Sequence, residues 1–381
     1  MSNISNIKVK VRYLIWAKAA GRCQFNGCNK TLYQDDHTQI EMNFADVAHI
    51  IGQGEKGPRS YKTSDIEERY VNDISNLMLV CPKHHKLIDQ KPSTYPEDLL
   101  RKMKRAHENK VRLATEMKVD NTSNVLIYRG RIGEFQPSIS FRETMQAMFP
   151  DYYPADHRPI ELSMSGSLLE DNDPKYWEFH ARNLEMQFEK NVAPLLGDKQ
   201  ERNHYSIFAF APIPLLIKLG SLLPDHYPAQ VYQPKKEPKT WKWQPEPPNF
   251  DFLLTEPVDR KEHNALNLSL SADISDERIY DAMETEDVSI WKLDIRDTEF
   301  PKTDHLRSKG QITLFSSHFR KLLNKIKEIH GQHERIHVFP AIPVAYAVQI
   351  GRVRQPKADL PLIIYDQNNK NGGFAPTITI E

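Results

Sequence analysis

The segment Cys81-Pro-Lys-His84-His85 constrains this chain most, because it places a thiol and two adjacent imidazoles within five positions. The other two of the three cysteines, Cys23 and Cys28, form a Cys-x4-Cys pair upstream. Structural zinc sites take four Cys or His ligands, commonly as two short pairs from separate segments. The spacing therefore predicts a zinc site of Cys23, Cys28, Cys81 and His84. Three buried free thiols are the alternative.

The second histidine of the pair is predicted to have a different role. One residue of helix is about 100° of rotation, so a helix that begins at Pro82 turns His85 away from the zinc ligands. His49 belongs to an alternating run, residues 44–50, which predicts a strand, and a second strand is predicted over 76–80. We expect His49, Asn76 and His85 to meet in a cleft beside the zinc site, although an isolated histidine is usually a core residue.

Composition narrows the class of protein. A length of 381 residues predicts two or three domains, and 39% hydrophobic with 27% charged residues is typical of a soluble globular protein. The sequence contains neither an apolar run of about 20 residues nor a secretory signal, so a cytoplasmic location is expected. Residues 1–124 hold 20 Lys and Arg against 15 Asp and Glu, while the remainder carries the opposite balance. A basic N-terminal part suits a polyanionic substrate, or is an ordinary solvated surface.

The remainder of the chain contains an internal repeat. The strand-like segments 160–165 and 266–271 resemble one another, and each is followed by a helical stretch, 176–192 or 314–330. A buried strand, an Ile-Pro step and an apolar helix ending in glycine then recur, at 205–220 and 335–351. Alternation of strands and helices predicts parallel α/β sheets, and two copies predict a duplicated Rossmann-like unit. A Pro- and Trp-rich connection, 234–257, separates the copies.

The N-terminal motifs resemble those of HNH endonucleases, which have the α+β fold called ββα-metal. The resemblance covers roughly residues 8–117 and rests on the Cys pair, Ala-His49-Ile, Asn76-Leu and Cys81-x2-His84-His85. It implies that His49 is the general base that activates water and that Asn76 orients it. It also implies that His85 binds one divalent ion, Mg2+ or Mn2+, during phosphodiester hydrolysis.

The chain departs from the commonest HNH pattern directly before the base, where Ala48 replaces an acidic metal ligand. We expect Asp46 to be the second ligand of the catalytic ion, with Glu41 or a shell of water as alternatives. A loop over 53–62 is expected either to contact the phosphates of double-stranded DNA or to be an ordinary solvated loop. Its three cations are the candidate DNA contacts: Lys56, Arg59 and Lys62.

The C-terminal repeat resembles SAVED domains, which consist of two fused CARF-like Rossmann units and bind cyclic oligonucleotides. This resemblance covers roughly 125–381. An HNH domain followed by a SAVED domain resembles the effector endonucleases of CBASS anti-phage defence. It implies a cyclic dinucleotide activator, such as cyclic GMP–AMP, made by a partner nucleotidyltransferase, and a homo-oligomer on activation, without a membrane partner.

Ligands of parallel α/β sheets bind outside the carboxyl ends of the strands, and nucleotides need aromatic, cationic and backbone partners. The residues predicted on this basis to bind the nucleotide are Ser165, Gly166, Tyr176, Trp177, Pro212, Lys309, Ala341 and Arg352. A purely structural role is the alternative for each of them.

The predicted organisation is a nuclease domain over 1–120 and a sensor domain over 121–381, with subunits of about 125–233 and 258–381. The favoured function is a cyclic-dinucleotide-activated DNA endonuclease. One alternative is a modification-dependent HNH restriction endonuclease. The other is a non-enzymatic, ligand-sensing regulator that binds DNA.

Overall fold

The computed structural model describes residues 7–35, 38–52, 57–60, 71–116, 121–164, 169–173, 175–196, 203–296, 301–368 and 373–381. The chain divides into two compact units, Met1–Lys118 and Val119–Glu381. No helix of the described residues has the length and apolar character needed to span a membrane.

The N-terminal unit is built on an antiparallel hairpin followed by a helix. Strand β1, Asp46–His49, pairs with β2, Leu77–Val80, so that His49 lies opposite Leu77. All four residues of β2 are buried, which fits its uninterrupted apolar sequence. Helix α2, Pro82–Gln90, begins directly after β2 with proline at its first position, where the missing N–H costs no hydrogen bond.

Two further helices complete this unit. They are α1, Val9–Ala19, and α3, Glu97–Thr115, whose first turn carries Glu97 and Asp98 as the helix dipole favours. A short 3-10 turn, Ile74–Asn76, leads into β2. Apolar side chains from α1, β2, α2 and α3 form one core, which includes Ile15, Leu79, Ile88 and Leu100.

The C-terminal unit contains two sheets. Each is built around four main parallel strands which, numbered by their order along the chain, lie side by side in the order 2-1-3-4. The first half begins with β3, Thr122–Arg129, which pairs in parallel with β5, Ile160–Ser163, on one side. On its other side lies β6, Tyr205–Phe210, followed by β7, Ala229–Tyr232. A two-residue strand, β4, Tyr153–Pro154, also pairs with β3.

The second half repeats this order. Its parallel strands are β9, His263–Ser269; β10, Val288–Ile295; β11, Ile336–Ala341; and β12, Leu362–Asn368. Antiparallel strands extend both edges: β8, Phe252–Thr255, beside β10, and β13, Gly373–Ile380, beside β12. The two halves therefore share one alternation of strand and helix, as the duplication predicts.

Helices alternate with the strands in both halves. The first half contains α4, Phe141–Met148; α5, Tyr176–Asn191; and α6, Ile213–Leu222. The second half contains α7, Asp276–Met283; α8, Lys309–His330; and α9, Val344–Val353. By position in the sheets, β3 corresponds to β9 and β5 to β10.

This correspondence corrects the predicted alignment of the repeat, which matched 160–165 with 266–271. The segment 160–163 is the second strand of its half, whereas 263–269 is the first strand of the other. The first strand of this half, β3, begins at Thr122 with polar residues, which the repeat predicted from the sequence did not include. Ser123 is nevertheless buried, because its hydroxyl bonds with that of Ser206 at 2.8 Å.

The two halves meet where α6 packs against α9. A Cβ added to Gly220 would lie 1.9 Å from the carbonyl oxygen of Val348, and one added to Gly351 would lie 1.9 Å from that of Ile217. The recurring glycines of the repeat are therefore required by backbone-to-backbone contact between the two equivalent helices.

Candidate functional site

Four potential metal ligands converge in the N-terminal unit. The thiol sulfurs of Cys23, Cys28 and Cys81 and a ring nitrogen of His84 all lie within 4.8 Å of one another. His84 Nδ1 is 3.2 Å from Cys81 Sγ and 3.6 Å from Cys23 Sγ. In a tetrahedral site with bonds of about 2.0–2.3 Å, ligand atoms are separated by about 3.5–4 Å, so these positions fit one small cation.

Local contacts hold this cluster in shape. Gln24 N donates to Leu79 O at 2.9 Å and Gln24 Oε1 accepts from Leu79 N at 2.8 Å, which fixes the cysteine loop to β2. The Phe25 ring stacks on His84 at 4.0 Å between centroids. Burial raises the pKa of the Cys23 thiol to about 12. A thiolate at this buried position therefore requires a bound cation, which is the chemistry of a structural metal site.

The adjacent histidine contacts two carboxylates instead. His85 Nδ1 lies 3.1 Å from Asp46 Oδ2, and His85 Nε2 lies 3.4 Å from Asp89 Oδ2. His85 is thus separated from the sulfur cluster, as the helical rotation predicts. Ala48 is buried in the core, whereas Asp46 at the start of β1 is partly exposed and reaches His85. Glu41, the alternative carboxylate, is exposed in an isolated bridge with Gln34.

His49 occupies the last position of β1. Its Nε2 lies 3.3 Å from the carbonyl oxygen of Val71, and a carbonyl can only accept, so Nε2 carries the proton and Nδ1 is the basic nitrogen. Burial is the main cause that lowers the pKa of His49, and the charge of His85 lowers it further. His49 is therefore neutral at pH 7, as a general base must be.

Asn76 acts on the backbone that follows His49. Its side chain is fully buried, with Oδ1 accepting from Ile51 N at 2.8 Å and Nδ2 donating to Ile51 O at 3.1 Å. Asn76 O also accepts from Ile50 N at 2.8 Å. These bonds fix the backbone of the two residues that follow His49. Asn76 therefore restrains the orientation of His49 without contacting its ring.

Two charged residues of this site have roles that sequence reasoning missed. Asp89 follows His85 by four residues on α2, a spacing that places both on one helical face and could have identified it. Arg59 was predicted to contact DNA, but its side chain is only 7% exposed. Its guanidinium donates to Ile50 O at 2.6 Å, to Ile88 O at 2.7 Å and to Asp89 at 3.3 Å. Arg59 is therefore a buried residue that connects two backbone segments, and not a surface cation.

The other two predicted DNA contacts, Lys56 and Lys62, lie outside the described residues. A basic pocket of about 490 Å³ lies instead between α1 and α3. Its charged lining consists of Lys18, Arg101, Lys104, Arg105 and Glu108. Lys104 is buried and paired with Glu108, whereas Lys18 and Arg105 are exposed.

A second cavity, of about 420 Å³, lies in the first half of the C-terminal unit, at the carboxyl ends of β3 and β5. Its described lining residues are Arg129, Gly130, Arg131, Gln136, Pro137, Ser163, Met164, Leu169, Tyr176 and His180. Burial raises the pKa of Tyr176 to about 12, so its phenol remains a neutral hydrogen-bond donor. Two guanidinium groups and an aromatic phenol are a donor set that suits an anionic nucleotide.

The predicted nucleotide-binding residues divide between this cavity and other places. Tyr176 lines the cavity, and the ring of the half-buried Trp177 packs edge-on against the ring of Tyr176. Pro212 directly precedes α6. Lys309 forms an ion pair with Asp151, and Ala341 ends β11. Ser165 and Gly166 lie outside the described residues.

Arg352 is a correction among the nucleotide-binding predictions. It is 3% exposed, and its guanidinium donates to Leu223 O at 2.8 Å and to Tyr227 O at 2.9 Å. Burial lowers its pKa to about 10. Because both terminal nitrogens of its guanidinium donate to backbone carbonyls of the first half, Arg352 is a structural residue that joins the two halves.

Comparisons with known proteins agree with both motifs. The profile of the family "SAVED: SMODS-associated and fused to various effectors sensor domain" matches residues 188–380, and that of the HNH endonuclease family HNH_2 matches residues 23–91. No curated protein matches the chain.

Among solved structures, the chain is similar to the Acinetobacter baumannii Cap4 SAVED/CARF-domain containing receptor. The structure with the cyclic trinucleotide 2'3'3'-cAAA has 13% identity and a TM-score of 0.43, over 84% of this chain and 67% of that one. The structure with 3'3'3'-cAAA has 12% identity and a TM-score of 0.44, over 84% and 66%. The SAVED match spans more than half of the sequence and the HNH match lies within the N-terminal unit, so this chain belongs to the SAVED family and carries an HNH endonuclease domain.

Proposed function

We propose that this protein is a metal-dependent endonuclease of double-stranded DNA, activated by a cyclic dinucleotide and acting as a cytoplasmic effector of CBASS anti-phage defence. The observation that carries the proposal is the constellation of Asp46, His49 and His85 beside the Cys/His cluster, in a chain of the SAVED family. A nuclease and a sensor on one chain imply that ligand binding controls cleavage.

The donor set fits two kinds of metal ion. Three thiols and an imidazole suit Zn2+ in a structural role. Asp46 and His85 suit Mg2+ or Mn2+, with water completing the oxygen shell. When bound, that ion would supply neutralisation of charge on the scissile phosphate and on the leaving oxygen.

The residues of the chain supply the proton transfer. Nε2–H of His49 donates to Val71 O, so Nδ1 is the basic nitrogen of the ring. We infer that Nδ1 removes a proton from the attacking water, while the bonds from Asn76 to Ile51 hold the end of β1 in place. The lowered pKa of His49 keeps the base unprotonated before attack.

For the sensor, we infer that the two halves are CARF-like units and that the nucleotide contacts the cavity of the first half. Arg129 and Arg131 would bind phosphate, and Tyr176 would contact a base. A ligand activates an enzyme only by binding its active form more tightly. We propose that this form is a homo-oligomer and that the nucleotide comes from a partner nucleotidyltransferase.

A plasmid-degradation assay in Mg2+ tests the whole proposal. We expect no cleavage by the protein alone and degradation when one member of a panel of cyclic di- and trinucleotides is added. Unmethylated and methylated plasmids should be degraded equally. Cleavage without nucleotide would contradict the sensor role, and cleavage of methylated plasmid alone would favour a modification-dependent restriction enzyme.

The basic pocket between α1 and α3 is a candidate contact for the DNA backbone. Ser75 lines it, and Leu77, two residues on, lies opposite His49, so the Cα atoms of Ser75 and His49 are within about 13 Å. Along the axis of a duplex, that distance is at most about four phosphate spacings of one strand.

We expect Lys18→Ala with Arg105→Ala to weaken DNA binding at low salt and to reduce the slope of log Kd against log salt concentration by about 1 to 2. Fluorescence anisotropy with a labelled duplex measures both quantities. The matched control is Lys91→Ala with Lys110→Ala, which removes the same charge from exposed positions away from the pocket. Equal effects of the two pairs would show that the pocket has no special role.

A further inference from the structure

Both ring nitrogens of His85 face a carboxylate, and the two carboxylates differ in what else they contact. Asp46 lies on the Nδ1 side at 3.1 Å and Asp89 on the Nε2 side at 3.4 Å. Asp89 also accepts from the guanidinium of Arg59 at 3.3 Å. The negative charge of Asp89 is therefore balanced by a buried cation, which makes it a weaker ligand for a metal ion than Asp46 but leaves it a good hydrogen-bond acceptor.

Arg59 is fixed more firmly than an ordinary surface arginine. It donates to the carbonyl oxygens of Ile50 and Ile88 at 2.6 and 2.7 Å, and its side chain is 7% exposed. Its backbone has φ of +60°, in the left-handed region that residues other than glycine rarely adopt. Ile50 follows His49, and Ile88 precedes Asp89, so one guanidinium joins the end of β1 to the last turn of α2.

Histidines that ligate metal ions through one nitrogen generally donate the other N–H to a carboxylate or carbonyl, which fixes the tautomer and the ring orientation. We propose that Asp89 is such a positioning residue, and that Arg59 holds it there. In this structure His85 Nδ1 is within hydrogen-bond distance of Asp46, and Nε2 is 3.4 Å from Asp89. With an ion bound, Asp89 would accept Nε2–H, and the Nδ1 lone pair would face the ion beside Asp46. This inference rests on the proposed function, because it assigns His85 and Asp46 to the catalytic ion.

The arrangement also sets the spacing between base and metal ligand. Arg59 binds the carbonyl of Ile50, which directly follows His49. It also binds the carbonyl of Ile88, which lies about one helical turn after His85. The two halves of the site belong to different elements, β1 and α2, and the guanidinium is a direct bridge between their backbones. Arg59 thus acts on both catalytic histidines without contacting either.

Asp89→Asn tests the proposal, because it keeps the size of the side chain. The amide oxygen can still accept from Arg59. The NH2 group then faces Nε2–H of His85 and cannot accept that proton. The experiment uses the full-length protein with its zinc retained. In 15N-histidine-labelled wild type with saturating Mg2+, we expect His85 Nε2–H as a downfield, exchange-protected proton, assigned by its absence in His85→Gln. Asp89→Asn should lose that signal, and its Mn2+ dissociation constant should rise about 10- to 100-fold.

Asp98→Asn, an exposed carboxylate in the first turn of α3, is the matched control and should change neither quantity. Arg59→Lys keeps the charge but loses the planar fork, and should weaken the same proton signal and raise the Mn2+ dissociation constant. Zinc content reports whether each variant has kept its fold.

Two results would overturn the proposal. If wild type shows no protected Nε2–H while Asp89→Asn still weakens Mn2+ binding, Asp89 is a direct metal ligand. If Asp89→Asn leaves both quantities unchanged, Asp89 has no part in the site. Neither measurement uses DNA, so a wild type that fails to cleave any plasmid contradicts the proposed function without deciding this one.

Discussion

His49→Ala is expected to slow DNA cleavage by at least about 100-fold while leaving the fold, the zinc content and the affinity for DNA unchanged. The reason is that His49 lies at the end of β1, where its side chain is bonded to Val71 O and its ring supplies the basic nitrogen. The backbone beside it is held by Asn76 and not by the imidazole. Single-turnover cleavage with activating nucleotide and Mg2+ measures the loss.

His157→Ala is a suitable control, because its imidazole is 82% exposed and belongs to the other unit. The pH dependence gives an independent check. A base works when deprotonated, and burial lowers the pKa of His49, so the rate should fall only when the pH drops below the ordinary histidine value of about 6.5. A His49→Ala protein that still cleaves, or that binds DNA poorly, would contradict the assignment.

Cys23→Ser is expected to remove zinc and unfold the N-terminal unit. Structural zinc contributes on the order of 10 kcal/mol to folding, which is comparable to the whole stability of a small domain. Cys23 is fully buried and contacts Cys81 N through its sulfur at 3.4 Å, so it joins the cysteine loop to the start of α2. Zinc content, limited proteolysis and DNA cleavage should all report the loss.

The sensor should survive this change, because the buried clusters of residues 125–380 are separate from the core of the N-terminal unit. Leu100→Ala is the matched control. It removes a fully buried side chain from the same core as Cys23, at a cost of about 2–5 kcal/mol, but leaves the metal ligands intact. It should keep its zinc. A Cys23→Ser protein with normal zinc content and a normal proteolysis pattern would exclude Cys23 as a ligand.

The parts of the site that follow short-range rules could be predicted from the sequence. Cys81 and His84 lie three residues apart at a strand-to-helix turn, and a rotation of about 100° separates His84 from His85 whatever the rest of the chain does. Asp46 was expected near His85, and its carboxylate contacts that ring.

The remainder depends on contacts between distant residues. Arg59 binds the backbone of Ile50 and Ile88, and no local pattern distinguishes such an arginine from one that contacts DNA. Arg352 was likewise assigned to a ligand because of its charge, although its partners are carbonyls more than 120 positions earlier. The first strand of the duplication was missed because it starts with polar residues, whose burial depends on a hydroxyl pair with β6.

The contact between α6 and α9 has a mechanical consequence. Where Gly220 and Gly351 bring the two backbones together, no layer of side chains remains that could repack as one helix slides over the other. The joint between the halves is therefore stiff, and Arg352 adds two bonds across it. A displacement at the carboxyl ends of β3 and β5 would therefore move both halves together as one rigid body, because the contact between them does not deform.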